Sequence, residues 1–104
     1  MKTIHFCAGL PRSGSTLLMN VLQQNPQIFT TGTCALTAII SDSIIKSRYN
    51  ESFQAMNAQD ADNAIYGMVH GATQGWFEGI TNKPVVVSKN RSWPEYITYI
   101  QNLN

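Results

Sequence analysis

The sequence predicts an α/β fold, a short parallel sheet layered between helices, and three observations carry that expectation. Near the amino end an apolar strand runs into a glycine loop and then a helix. Near the carboxyl end, three consecutive valines have the composition of a strand covered on both faces. Between them the apolar residues recur at helical spacing, so strands and helices alternate as they do around a parallel sheet. With 104 residues, 43% of them hydrophobic, the chain has material for one modest core, and residues 1–104 read as a single domain.

Thr3 to Ala8 forms the first strand: Ile4, Phe6 and Ala8 alternate with His5 and Cys7, and the run stops at Gly9. His5 then reads as a packed core histidine. From Ser15 the period becomes helical, with Leu17, Leu18, Val21 and Leu22 as the apolar stripe and Asn20, Gln23 and Gln24 opposite. Asn25-Pro26 ends this helix, because the residue before a proline is held out of helical geometry. Gln27 to Thr31 makes a second short strand, and Gly32 turns the chain into a helix with Leu36, Ile39, Ile40 and Ile44 on one side. Residues 46–59, KSRYNESFQAMNAQ, are polar and aperiodic and read as a loop available for ordering around a ligand.

Asp60 opens a longer helix in which Ile65, Met68, Val69, Ala72 and Trp76 recur at helical spacing. Gly67, Gly71, Gly75 and Gly79 lie four residues apart along it, each costing about 1 kcal/mol relative to alanine. Two explanations stay open: a smooth face that another helix or the sheet approaches closely, across a dimer for instance, or a weak helix that frays. The segment is not an apolar 20-mer, so the glycine spacing is no membrane signal. Pro84 to Ser88, PVVVS, is the last strand. Ser92 and Glu95 have capping-box spacing at the start of a final helix whose inner face is Trp93, Ile97 and Ile100.

Seven basic side chains against six acidic ones leave no charge excess to recruit nucleic acid or a membrane surface. No apolar run approaches the roughly 18 residues of a membrane span, and MKTIHFCAG is too short and interrupted for a signal peptide. Cys7 and Cys34 lack CxxC or metal-ligand spacing and read as small buried hydrophobes with free thiols. A soluble cytoplasmic protein without a metal site is expected.

The stretch GLPRSGST, residues 9–16, matches the phosphate-loop pattern GxxxxGK[ST] at Gly9, Gly14 and Thr16, but Ser15 stands where the lysine belongs. Glycines let such a loop curl so that successive amides point inward, and the helix that follows adds its positive N-terminal dipole. The cradle is kept while the lysine that balances a triphosphate is lost, which argues against ATP or GTP with magnesium. Arg12 offers a cation with planar geometry from another direction. Lys89 offers a second, because the carboxyl ends of parallel strands share one crevice with the loop after the first strand. Arg91, in the same turn, is a weaker candidate.

GLPRSGSTLLMNVLQQNP resembles the 5′-phosphosulfate-binding loop and following helix of sulfotransferases that use 3′-phosphoadenosine 5′-phosphosulfate (PAPS), especially bacterial and phage-type members. VVVSKNRSW is similar to their later strand-and-lysine segment, so the fold implied is a P-loop NTPase-like three-layer αβα architecture. The resemblance implies PAPS as donor and no metal. Pro11, Arg12, Ser13, Gly14, Ser15 and Thr16 would hold its 5′-phosphosulfate, and Lys89 and Arg12 would be the catalytic cations, Lys89 acting on the bridging oxygen.

Family members carry their 3′-phosphate contacts, an arginine and a serine, beyond the strand-and-lysine segment, and this sequence reads as the amino-terminal portion of such a domain. Where protein-tyrosine sulfotransferases have a catalytic glutamate, it has TTGT, residues 30–33, so no general base transfers by position. His70 and Glu78 are the nearest titratable residues, and His70, between apolar helix positions, reads as structural. The partners expected are the nucleotide donor, an unidentified hydroxyl or amine acceptor and, through the glycine stripe or an open sheet edge, a second copy of the chain. The competing readings are a non-catalytic nucleotide-binding or self-associating module and a small kinase-like P-loop enzyme.

Overall fold

The computed structural model describes residues 2–9, 13–32 and 34–101. Three parallel strands, β1 (Thr3–Cys7), β2 (Ile28–Thr31) and β3 (Val85–Lys89), form one sheet in the order β1-β3-β2. The register sets Ile4 and Phe29 beside Val86, and Phe6 and Thr31 beside Ser88. The valine run therefore occupies the centre, with Val86, Val87 and Ser88 all buried, as expected of a strand covered on both faces.

One face of the sheet carries the main core. Ile4 and Val86 pack with Cys34, Leu36 and Ile40 from α2 (Leu36–Ser47) and its approach, with Val69 and Phe77 of α4 (Ala58–Ile80), and with Trp93 and Tyr96 of a 3₁₀ turn (Trp93–Tyr96). Phe6 meets Trp93 edge-on at 4.6 Å between ring centres. On the opposite face, α1 (Ser15–Leu22) lies over β2 and β3, where Thr30 Oγ1 donates to Gln23 Oε1 at 3.3 Å. The sheet is thus flanked by helices on both faces. α1 leaves β1 uncovered, which is why His5 is exposed rather than packed.

The strands match their expected positions to within a residue, and β3, which starts and ends one residue later, takes in Lys89. The inward helix faces differ more. Leu17, Leu18 and Val21 are 69%, 48% and 55% exposed, and Met19 is the buried residue of α1. STLLMNVL is apolar around most of its circumference, so composition alone cannot select the face that meets the sheet. In α2, Ile39 is exposed and Thr37 is buried, its hydroxyl donating to the Cys34 carbonyl.

Residues 46–59 are largely helical rather than a loop. α2 runs on to Ser47, and α3 (Glu51–Gln54) and α4 begin at asparagine caps whose side chains accept from Phe53 N (2.9 Å) and Asp60 N (2.8 Å). The predicted capping box at Ser92 does not form. Ser92 already has helical φ and ψ, and its amide donates to Asn90 Oδ1, so the turn is made two residues earlier. α5 (Ile97–Ile100) follows the 3₁₀ turn, with Ile97 exposed and Ile100 half-buried.

The long helix α4 is continuous through its glycines. Its inward residues are Val69, Thr73 and Phe77, and Thr73 satisfies its buried hydroxyl by donating to Val69 O at 2.7 Å. Gly67, Gly71, Gly75 and Gly79 are exposed, and a Cβ at any of them would meet nothing within 4 Å. Neither the sheet nor another helix of the described chain uses that face. At the amino end of the sheet, Lys2 Nζ lies 3.9 Å from Glu78 Oε2 and donates to Lys83 O at 2.8 Å. No helix among the described residues is long and apolar enough to cross a membrane.

Candidate functional site

The carboxyl end of the sheet gathers the residues of interest. β1 ends at Cys7, and the chain doubles back so that a Cβ placed on Gly9 would stand 2.7 Å from Ser13 Oγ and 3.2 Å from Ser15 Cβ. Glycine is favoured there by close approach. At Gly14 the requirement is conformational, since its φ of +88° lies in the left-handed region that other residues enter at a cost. The two glycines of the loop pattern have different reasons to be glycine.

α1 opens directly after Gly14. Its first intrahelical bond runs from Leu18 N to Gly14 O at 3.0 Å, and no side chain caps it. Among the described residues no acceptor meets the amides of Ser15, Thr16 and Leu17, so the first turn of α1 offers backbone donors and the positive end of the helix dipole beside the hydroxyls of Ser15 and Thr16. That donor set fits a compact oxyanion such as a phosphate or sulfate ester.

Lys89, the last residue of β3, reaches this opening. Its ammonium donates to Thr16 Oγ1 at 3.0 Å, a contact between residues 73 apart in sequence. Among the described residues the one ion pair is Lys2 with Glu78, at the opposite end of the sheet, and no described carboxylate balances Lys89. The result is a local excess of positive charge in a protein of nearly neutral composition. Behind it, buried Ser88 accepts hydrogen bonds from Thr31 Oγ1 and from Trp93 Nε1, each at 3.2 Å, and so fixes the strand end against β2 and the 3₁₀ turn.

Ser13, Gly14, Ser15, Thr16 and Lys89 lie together at the carboxyl edge of the sheet, while Pro11 and Arg12 lie outside the described residues. Arg91 is exposed and lines, with Ala8, Gly9 and Pro94, a shallow cavity of about 200 Å³ beside the loop. A larger cavity of about 280 Å³ lies between α2, α3 and α4, lined by Arg48, Phe53, Asp62, Ile65, Tyr66 and others. Glu78 is committed to Lys2, away from the loop. His70 Nε2 is buried without a hydrogen-bond partner among the described residues, and Thr31 of the TTGT stretch donates to Ser88. Cys7 and Cys34 are free thiols, half-buried and buried. Among the described residues no group of three or more His, Cys, Asp or Glu is placed to hold a metal ion.

The family model described as "Sulfotransferase family" matches residues 5–101, from β1 through α5. The chain belongs to the sulfotransferase family. No curated protein and no solved structure matches it. The span covers both halves of the site in this sulfotransferase-family chain, the loop with its helix and the strand that ends in Lys89. Sequence reading missed the supporting polar residues Thr31, Thr37, Ser88 and Asn90. Of these only Asn90 carried a local signal, an asparagine two residues before a serine just past a strand, the pattern of a side chain that closes its own turn.

Proposed function

We propose that this chain binds PAPS at the loop of residues 9–16 and transfers its sulfuryl group to a hydroxyl or amine acceptor. One observation carries the reading: within a sulfotransferase-family fold, the Lys89 ammonium, paired with no carboxylate among the described residues, lies on the hydroxyl of Thr16 at the amino end of α1. The donor supplies a sulfuryl group that passes to the acceptor atom as the sulfur–oxygen bond to the 5′-phosphate breaks, its electron pair staying with the phosphate and the acceptor proton leaving to solvent. The chain's own work is positioning and charge stabilisation. The amides of Ser15, Thr16 and Leu17 and the hydroxyls of Ser13, Ser15 and Thr16 hold the 5′-phosphosulfate, and Arg12, inside the loop, adds a second cation. Lys89 faces the oxygen on which negative charge grows, and no magnesium is needed because lysine and helix dipole supply the positive charge.

The family match favours this over a kinase-like P-loop enzyme, whose lysine the loop lacks. The test is transfer of labelled sulfuryl from PAPS to a panel of hydroxyl and amine acceptors, with Lys89→Ala beside the unmodified chain. Turnover that falls at least about a hundredfold on removing the lysine is expected, from the loss of one preorganised charge contact. Nucleotide binding without turnover on any acceptor would replace the reading with that of a nucleotide-binding module.

A further inference from the structure

Asn90 stands one residue beyond Lys89, is buried, and has both amide protons matched. Nδ2 donates to Cys34 O at 2.9 Å and to Thr37 Oγ1 at 3.0 Å, and Oδ1 accepts from Ser92 N at 2.9 Å. Its backbone amide donates to Cys7 O at 2.9 Å, and its carbonyl accepts from Trp93 N at 3.2 Å. One residue therefore joins the end of β1, the start of α2 and the 3₁₀ turn. Thr37 takes part on both sides, donating to Cys34 O while accepting from Asn90.

This arrangement bears on Lys89. A lysine stem has four rotatable bonds and loses up to about 2 kcal/mol of rotamer freedom when held, more than one hydrogen bond to a neutral hydroxyl returns. The ammonium stays on Thr16 only where the backbone already aims it. The backbone amide of residue 90, bonded to Cys7 O, ties Lys89 to the strand from which the loop departs, and the Asn90 side chain holds that backbone in place through its bonds to Cys34 O, Thr37 Oγ1 and Ser92 N. We propose that Asn90, braced by Thr37, is a positioning residue of the site that acts through Lys89 and touches no ligand itself. The proposal rests on Lys89 belonging to the donor site, but its first test does not.

That test is the NMR spectrum of the unliganded chain, with the Lys89 ε-methylene protons assigned by their loss in Lys89→Arg. They are expected to be resolved from one another in the unmodified protein and to collapse to one free-lysine shift in Asn90→Ala, while the Trp93 indole and Val69 methyl signals keep their native positions. Should Asn90→Ala lose those fold markers, Thr37→Val, which removes one acceptor, is judged by the same criterion. Unchanged Lys89 signals in a folded variant overturn the proposal.

The second arm measures affinity for 3′-phosphoadenosine 5′-phosphate. Asn90→Ala should weaken it about tenfold when Lys89 is present and less than about twofold in a Lys89→Ala background, the signature of coupled residues. Equal losses in both backgrounds would show a merely structural asparagine and overturn the role. A chain that binds no nucleotide sinks the sulfuryl-transfer reading, while the lysine signals still decide the positioning.

Discussion

Replacing Gly9 by alanine tests whether the loop closes as described. The added Cβ would lie 2.7 Å from Ser13 Oγ, nearer than real contacts of this kind, and 3.2 Å from Ser15 Cβ. The hydroxyl can rotate aside. The second contact involves an atom fixed to the first residue of α1, so relief requires loop or helix to shift by a few tenths of an ångström. Overpacking of this kind costs about 1–3 kcal/mol. Because the loop lies outside the core cluster, the strain is expected in the geometry of the anion cradle, where 1–2 kcal/mol corresponds to roughly 5- to 30-fold weaker binding. Calorimetric titration of Gly9→Ala with 3′-phosphoadenosine 5′-phosphate measures it, with thermal unfolding as the control. Adding Ser13→Gly, which removes the nearer contact, should recover part of the loss. Full affinity in Gly9→Ala alone would mean that residue 9 does not close against residues 13 and 15, and the cradle described above would be wrong.

The other expectations concern the scaffold. Gly75→Ala places a methyl in open space on an exposed helical face and should raise stability by about 0.5–1 kcal/mol in a denaturant titration. If the glycine face instead packs against a second copy, the same change should lower the association constant measured by sedimentation. Phe77→Ala empties a fully buried position and should cost about 3–5 kcal/mol, a large share of the stability of a domain this size, read by the shift in chemical denaturation midpoint. Asn57→Ala removes the acceptor for Asp60 N and should cost about 1 kcal/mol, with helical circular dichroism otherwise retained.

The sheet was legible because its signals are local: the valine run, the alternation in IHFCA and the glycine that stops it do not depend on partners. The loop and Lys89 were legible for a related reason, since parallel topology forces the carboxyl ends of the strands together, and the Lys89–Thr16 contact lies at that edge. Helix faces were not. Leu17, Leu18 and Val21 look like a core stripe, yet Met19 faces inward, because the sheet selects a face from a helix that is apolar nearly all round. The polar stretch 46–59 hid two asparagine caps at positions 50 and 57, because a helix of four residues and the first turn of the next leave no apolar periodicity to read. The wider role of Asn90 was hidden for a different reason. Its partners Cys34 and Thr37 are more than fifty residues away, and no pattern local to VSKNRSW announces them.

The most direct measurement is calorimetric titration of the unmodified chain with 3′-phosphoadenosine 5′-phosphate in buffer containing EDTA, repeated with Lys89→Ala. The account predicts saturable binding without divalent metal and a marked loss of affinity when the lysine is removed. Heat of binding that appears only after magnesium is added, or an affinity indifferent to Lys89, would contradict it.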